Sequence, residues 1–143
     1  MYFTIARHIA GAAAAWLVFC VEGAAGYAGL LVFAGVTGAD PGGPLAGPFL
    51  MLVAAVVGGA VTSLALLPSV VIGEVIGRLQ WLVALGVVAV LLGVAAAGWS
   101  AATDTTAREA AIGWSVTVAA SLLPLAAWGA VAAVGSRIRN RLA

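Results

Sequence analysis

The chain has no lysine, one cysteine and one histidine, and its charge consists of six arginines and five acidic residues among 143 positions. A soluble globular domain carries about a quarter of its residues as charge. At 8% charged, this chain could not coat a water-facing surface. With 64% hydrophobic residues and a mean hydropathy of +1.20, its solvent over most of its length is lipid, and the sequence reads as an integral membrane protein. A lone cysteine, Cys20, excludes an intramolecular disulfide and reads as a small apolar packing residue. A lone histidine, His8, excludes a haem held between two histidines and sits beside Arg7 before the first apolar stretch, an interfacial place. A net charge of +1, with no basic patch beyond the C-terminal tail, argues against nucleic acid as a partner. Arginine as the sole strong base, with abundant Ala, Val and Gly, points to GC-rich coding and to a bacterial inner or plasma membrane.

What is present is long apolar runs. A helix needs about 20 apolar residues to cross the hydrocarbon core, and four stretches qualify, at about 9–35, 48–72, 81–99 and 111–135. The expected fold is all-α, a single domain over 1–143 formed by a bundle of four transmembrane helices. The first run is longer than a signal-peptide core and Phe19 precedes Cys20 where a lipoprotein would have a small residue, so the run is expected to be a retained span. Residues 36–47 are dense in turn formers, and Pro48 suits a first helical turn. Residues 100–110 hold Thr103, Asp104, Thr105, Thr106, Arg108 and Glu109 and read as a polar loop with a short helix start at most. Trp81 and Trp99 are 18 positions apart, about 27 Å along a helix, which suits one indole at each interface. Arg7, Arg78, Arg137, Arg139 and Arg141 fall on one side and only Arg108 on the other, so both termini are expected in the cytoplasm.

Close approach of helices in lipid relies on small residues. In the first span Gly11, Ala15, Glu22, Gly26 and Gly29 lie on one stripe, which is expected to face another helix. Gly58, Gly59, Gly86 and Gly93 offer further smooth surface. Ser63-Leu-Ala-Leu-Leu-Pro68 in span two is echoed by Ser121-Leu-Leu-Pro124 in span four, two segments running the same way. Each proline frees a carbonyl and kinks its span, or lines a site. Glu74 and Arg78, four apart, are expected to pair at the interface and anchor the turn between spans two and three.

Glu22 is the costliest residue in the chain. Thirteen apolar or small residues flank it on each side within 9–35, and an intramembrane carboxylate needs a partner or a wet cavity. Counting depth from the span ends sets Thr62, Ser63 and Ser121 at its level. These hydroxyls could surround it and hold a proton or a small cation. The other reading is a hydrogen-bonded packing residue, within the monomer or between subunits. No metal-ligand spacing, phosphate loop or Ser-His-Asp arrangement is present, so no cofactor and no enzyme are expected.

Four spans in a short chain, with Glu22 followed by Gly23-Ala-Ala-Gly26-Tyr27 in the first, resembles the layout of the small multidrug resistance transporters. That resemblance implies an oligomeric, proton-coupled transporter acting through Glu22. The chain departs from the family in its longer outer loops, its basic tail and the absence of a dimerisation motif in the third helix. Rotor proteolipids of ion-pumping ATPases also have four spans and a buried Glu, but in the last helix, where this chain has none.

Three functions follow as expectations. The first is an accessory or structural subunit packing against itself or a larger membrane partner. The second is a small proton- or cation-coupled transporter or channel. An integral-membrane enzyme comes last, and would need an open site around Glu74, Arg78 and the C-terminal arginines.

Overall fold

The computed structural model describes the backbone of residues 2–40, 42–43, 45–77 and 80–142, and the side chains of these except 2–4, 136 and 138–142. Helix α1 spans Tyr2–Thr37, α2 Ala46–Val61, α3 Leu67–Ile76, α4 Gln80–Thr103, α5 Ala107–Ala120 and α6 Leu122–Leu142. A π-helical turn at Thr62–Leu66 joins α2 to α3, and a break at Ser121 separates α5 from α6. No strand occurs among the described residues. Four helical stretches, Ile5–Thr37, Ala46–Ile76, Gln80–Thr103 and Ala107–Gly135, are long and apolar enough to cross a membrane. Each of these four stretches extends beyond the apolar run read from the sequence.

The two interrupted spans are broken at the echoed Ser-to-Pro segments. Pro68 has no N–H, and its ring would press on the carbonyl of Leu64 in a regular α-helix. The chain answers with one wide turn, in which the Leu67 N–H donates to the Thr62 carbonyl, five residues back. In the fourth span the Pro124 ring would meet the carbonyl of Ala120, and the break falls between them. There the Ser121 N–H is shared between the carbonyls of Thr117 (3.0 Å) and Val118 (3.1 Å).

α1 packs along α2 and α6, α3 packs along α4, and α4 packs along α5. Arg7 of α1 lies against Gly135 of α6, so both chain ends emerge at one end of the bundle, together with the α3–α4 turn. We call this the terminal end and the opposite one the loop end. The core combines Ala15, Phe19, Leu66, Val70, Val88, Leu125 and Trp128. The third span, through Ala84 and Val88, contributes to it as the others do.

Glycines set how the helices meet. Tyr27 lies over Gly47 and Phe19 over Gly58, where a β-carbon would stand 2.7 Å and 2.9 Å from the rings. Between them Gly23 abuts Ala54, and Trp16 Nε1 donates to the Ala55 carbonyl at 2.8 Å. Trp128 fills the space over Gly11. These aromatic-on-glycine contacts fix the axial position of α1 against α2 and α6.

At the loop end, α5 begins with a capping box. Thr106 accepts from the Glu109 N–H (3.3 Å) and the Glu109 carboxylate accepts from the Thr106 N–H (2.9 Å). The polar segment at 100–110 is thus mostly helix, with a connection only three residues long at 104–106. The Thr106-x-x-Glu109 spacing is a sequence signature of such a start.

Candidate functional sites

The midplane site is built on α1. Glu22 is half-buried, and its Oε2 is buried without a hydrogen-bond partner. The glycine contacts set Ala54, next to Gly23, at its level on α2. Thr62 lies about two turns nearer the terminal end, in a shallow groove with Ala12 and Trp16. Depth counted from span ends misplaces it, because the glycine contacts, not the span midpoints, decide where two helices meet.

The candidate hydroxyls are therefore not gathered on the carboxylate by hydrogen bonds. Thr62 is 4% exposed and its Oγ1 also lacks a partner. Ser63 is exposed on the same groove. Ser121 is buried, but its hydroxyl donates back to the Thr117 carbonyl at 2.7 Å. Among the described residues, Glu22, Thr62, Ser63 and Ser121 are not linked to one another. Glu22 lines none of four cavities found among the described residues.

The stripe on α1 is divided. Gly11 and Ala15 are buried against the bundle, whereas a β-carbon at Gly26 or Gly29 would meet nothing within 4 Å. Glu22 lies between the used half and the open half.

The second site is at the terminal end. Arg7 Nη2 donates to Glu74 Oε1 at 2.6 Å, and His8 Nε2 lies 3.3 Å from Glu74 Oε2. The imidazole also faces the buried Trp128, ring centroids 6.2 Å apart. Arg7 Nε and His8 Nδ1 are buried and unpartnered. The expected Glu74–Arg78 pair lies outside the described residues, since Arg78 is not among them. The partners found for Glu74 come from α1, Arg7 being 67 positions away. Two glycines present Glu74 to them. Gly77 ends α3 at a φ of +79°, a conformation side chains resist. A β-carbon on Gly73 would stand 2.5 Å from the Gln80 carbonyl oxygen.

Beside this cluster is a cavity of about 540 Å³ whose walls include Arg7, Glu74, Gln80 and Trp81. Its floor is Val70 and Ala84 of the core. Arg7 and Glu22 are 15 positions apart on α1, about 22 Å at 1.5 Å per residue, with Ala15 and Phe19 packed between their levels. No group of three His, Cys, Asp or Glu side chains able to hold a metal ion is found among the described residues.

The sequence holds Arg7, His8 and Glu74 as the polar residues nearest one end of the apolar runs. That shared depth is the available signal for the cluster.

No family model, curated protein or solved structure matches this chain.

Proposed function

We propose that the protein is a small accessory or structural subunit of a membrane complex, holding further transmembrane helices, of its own copies or a partner, on the outer half of α1. The supporting observation is the divided stripe. The bundle fills Gly11, Gly23, Gly47 and Gly58 with neighbouring side chains, yet leaves Gly26 and Gly29 open beside an unsatisfied Glu22 carboxylate oxygen. In lipid, small residues that let a backbone approach, together with a polar group seeking a partner, favour helix association. The position of Arg7 and Arg137 at the terminal end supports that end as cytoplasmic, in a bacterial inner or plasma membrane.

The second reading is proton- or cation-coupled transport through Glu22, favoured by the same unpartnered oxygen. Difference infrared spectroscopy of wild type against Glu22→Gln in lipid separates the two. A carboxyl signal that follows bulk pH means access to water and overturns the association reading. A signal indifferent to bulk pH, with loss of oligomer on Gly29→Leu, supports it.

A further inference from the structure

We infer that the terminal-end cavity is a phospholipid site, selective for a headgroup that carries both a phosphate and a primary ammonium, with the acyl chains lying in the cleft between α4 and α6. The inference concerns a different face from the open half of α1 and does not depend on the association reading.

Two adjoining cavities carry it. The first, of about 540 Å³, is walled by the polar set Arg7, Glu74 and Gln80. The second, of about 410 Å³, is mainly apolar, with Leu82, Leu85, Leu122 and Ala126 in its walls. Both are lined by Trp81 and Gly129. A β-carbon on Gly129 would stand 3.2 Å from the Trp81 ring, so the indole touches α6 at the threshold between the two. The cleft exists because α4 packs mainly on α3 and α5, while α6 packs mainly on α1. A polar chamber that opens into an apolar furrow has the shape of an amphiphile.

Depth agrees with this assignment. Glu74 lies two residues before the end of α3, and Gln80 begins α4. A tryptophan next to such helix ends takes the headgroup level of a bilayer. Leu82, Leu85, Leu122 and Ala126 then lie at the depth of acyl chains.

The headgroup follows from charge. Arg7 and Glu74 side chains are 22% and 30% exposed and together are neutral. Glu74 accepts from Arg7 at one oxygen and has His8 Nε2 3.3 Å from the other, and each carboxylate oxygen retains a further lone pair for an ammonium donor. Arg7 engages Glu74 through Nη2, and its fork has further donors for a phosphate. An ethanolamine headgroup meets both. A choline headgroup cannot donate a hydrogen bond to Glu74, and a glycerol headgroup brings the phosphate charge without the ammonium.

Native mass spectrometry of the full chain, offered an equal mixture of palmitoyl-oleoyl phosphatidylethanolamine, phosphatidylcholine and phosphatidylglycerol, tests this directly. Wild type is expected to retain the ethanolamine lipid about tenfold over each of the others, the size of one charge-assisted hydrogen bond. Glu74→Gln should abolish that preference. Ala126→Trp, which fills the lipid-facing furrow and leaves the charged cluster intact, should lower retention of all three. Water-soluble phosphoethanolamine should not displace the lipid at matched concentration. Equal retention of the three lipids, preference for phosphatidylglycerol, displacement by the soluble headgroup, or unchanged retention in Ala126→Trp would each overturn the assignment.

Discussion

Arg7 and Glu74 are 67 positions apart in the chain and joined by a 2.6 Å ion pair across the terminal end of the bundle. The pair closes α1 onto α3, two helices otherwise linked through α2. His8 Nε2 approaches the other carboxylate oxygen, so one acidic residue faces both side chains. At this partial exposure the pair is worth more than a surface bridge, and its loss leaves a half-buried guanidinium behind.

Glu74→Gln should therefore destabilise the bundle by roughly 1–2 kcal/mol, between the surface and buried limits for ion pairs. Arg7→Gln combined with Glu74→Gln should cost less than the sum of the two single changes. Unfolding titrations of the four proteins in mixed detergent micelles measure that coupling. Strict additivity would mean the pair contributes nothing.

Gly11 and Trp128 supply a second test. An alanine at Gly11 would place its β-carbon 2.5 Å from Trp128 Nε1, in a core where Trp128 is 1% exposed. Gly11→Ala should cost about 1–3 kcal/mol, as overpacking does. Gly26→Ala, on the same helix but with open space around it, should change monomer stability by no more than about 0.5 kcal/mol. The same unfolding assay compares them.

The α3–α4 turn should be equally intolerant. Gly77→Ala forces a side chain into a φ of +79° and should cost about 1–3 kcal/mol. Gly73→Ala meets the Gln80 backbone and should be at least as damaging. Gly98→Ala in α4, where nothing lies within 4 Å, is the matched control and should cause no loss.

At the loop end, Thr106→Ala removes the side-chain half of the capping box and should cost about 1 kcal/mol. Hydrogen exchange at the amides of residues 107–110 should quicken, while the amides of α4 stay as they were. Exchange unchanged at both places would show that packing alone holds the first turn of α5.

Local properties of this molecule were legible in its sequence. Each span is a contiguous run whose apolar character is a sum over neighbouring residues, so the presence of four stretches long and apolar enough to cross a membrane needed no tertiary information. The breaks near Pro68 and Pro124 were equally local, because a missing N–H acts on the turn that contains it. Which helices are neighbours, and at what axial offset, depends on side chains from distant segments fitting one another. Phe19 on Gly58, Gly23 on Ala54 and Tyr27 on Gly47 slide Thr62 about two turns away from Glu22. The same fit brings Glu74 to Arg7 and His8 from the far end of another span. The sequence determined four runs apolar enough for lipid and placed one carboxylate, Glu22, in the middle of the first. The tertiary structure decided which carboxylate is paired, because only packing between helices could bring Arg7 and His8 to Glu74 and leave Glu22 without a hydrogen-bond partner.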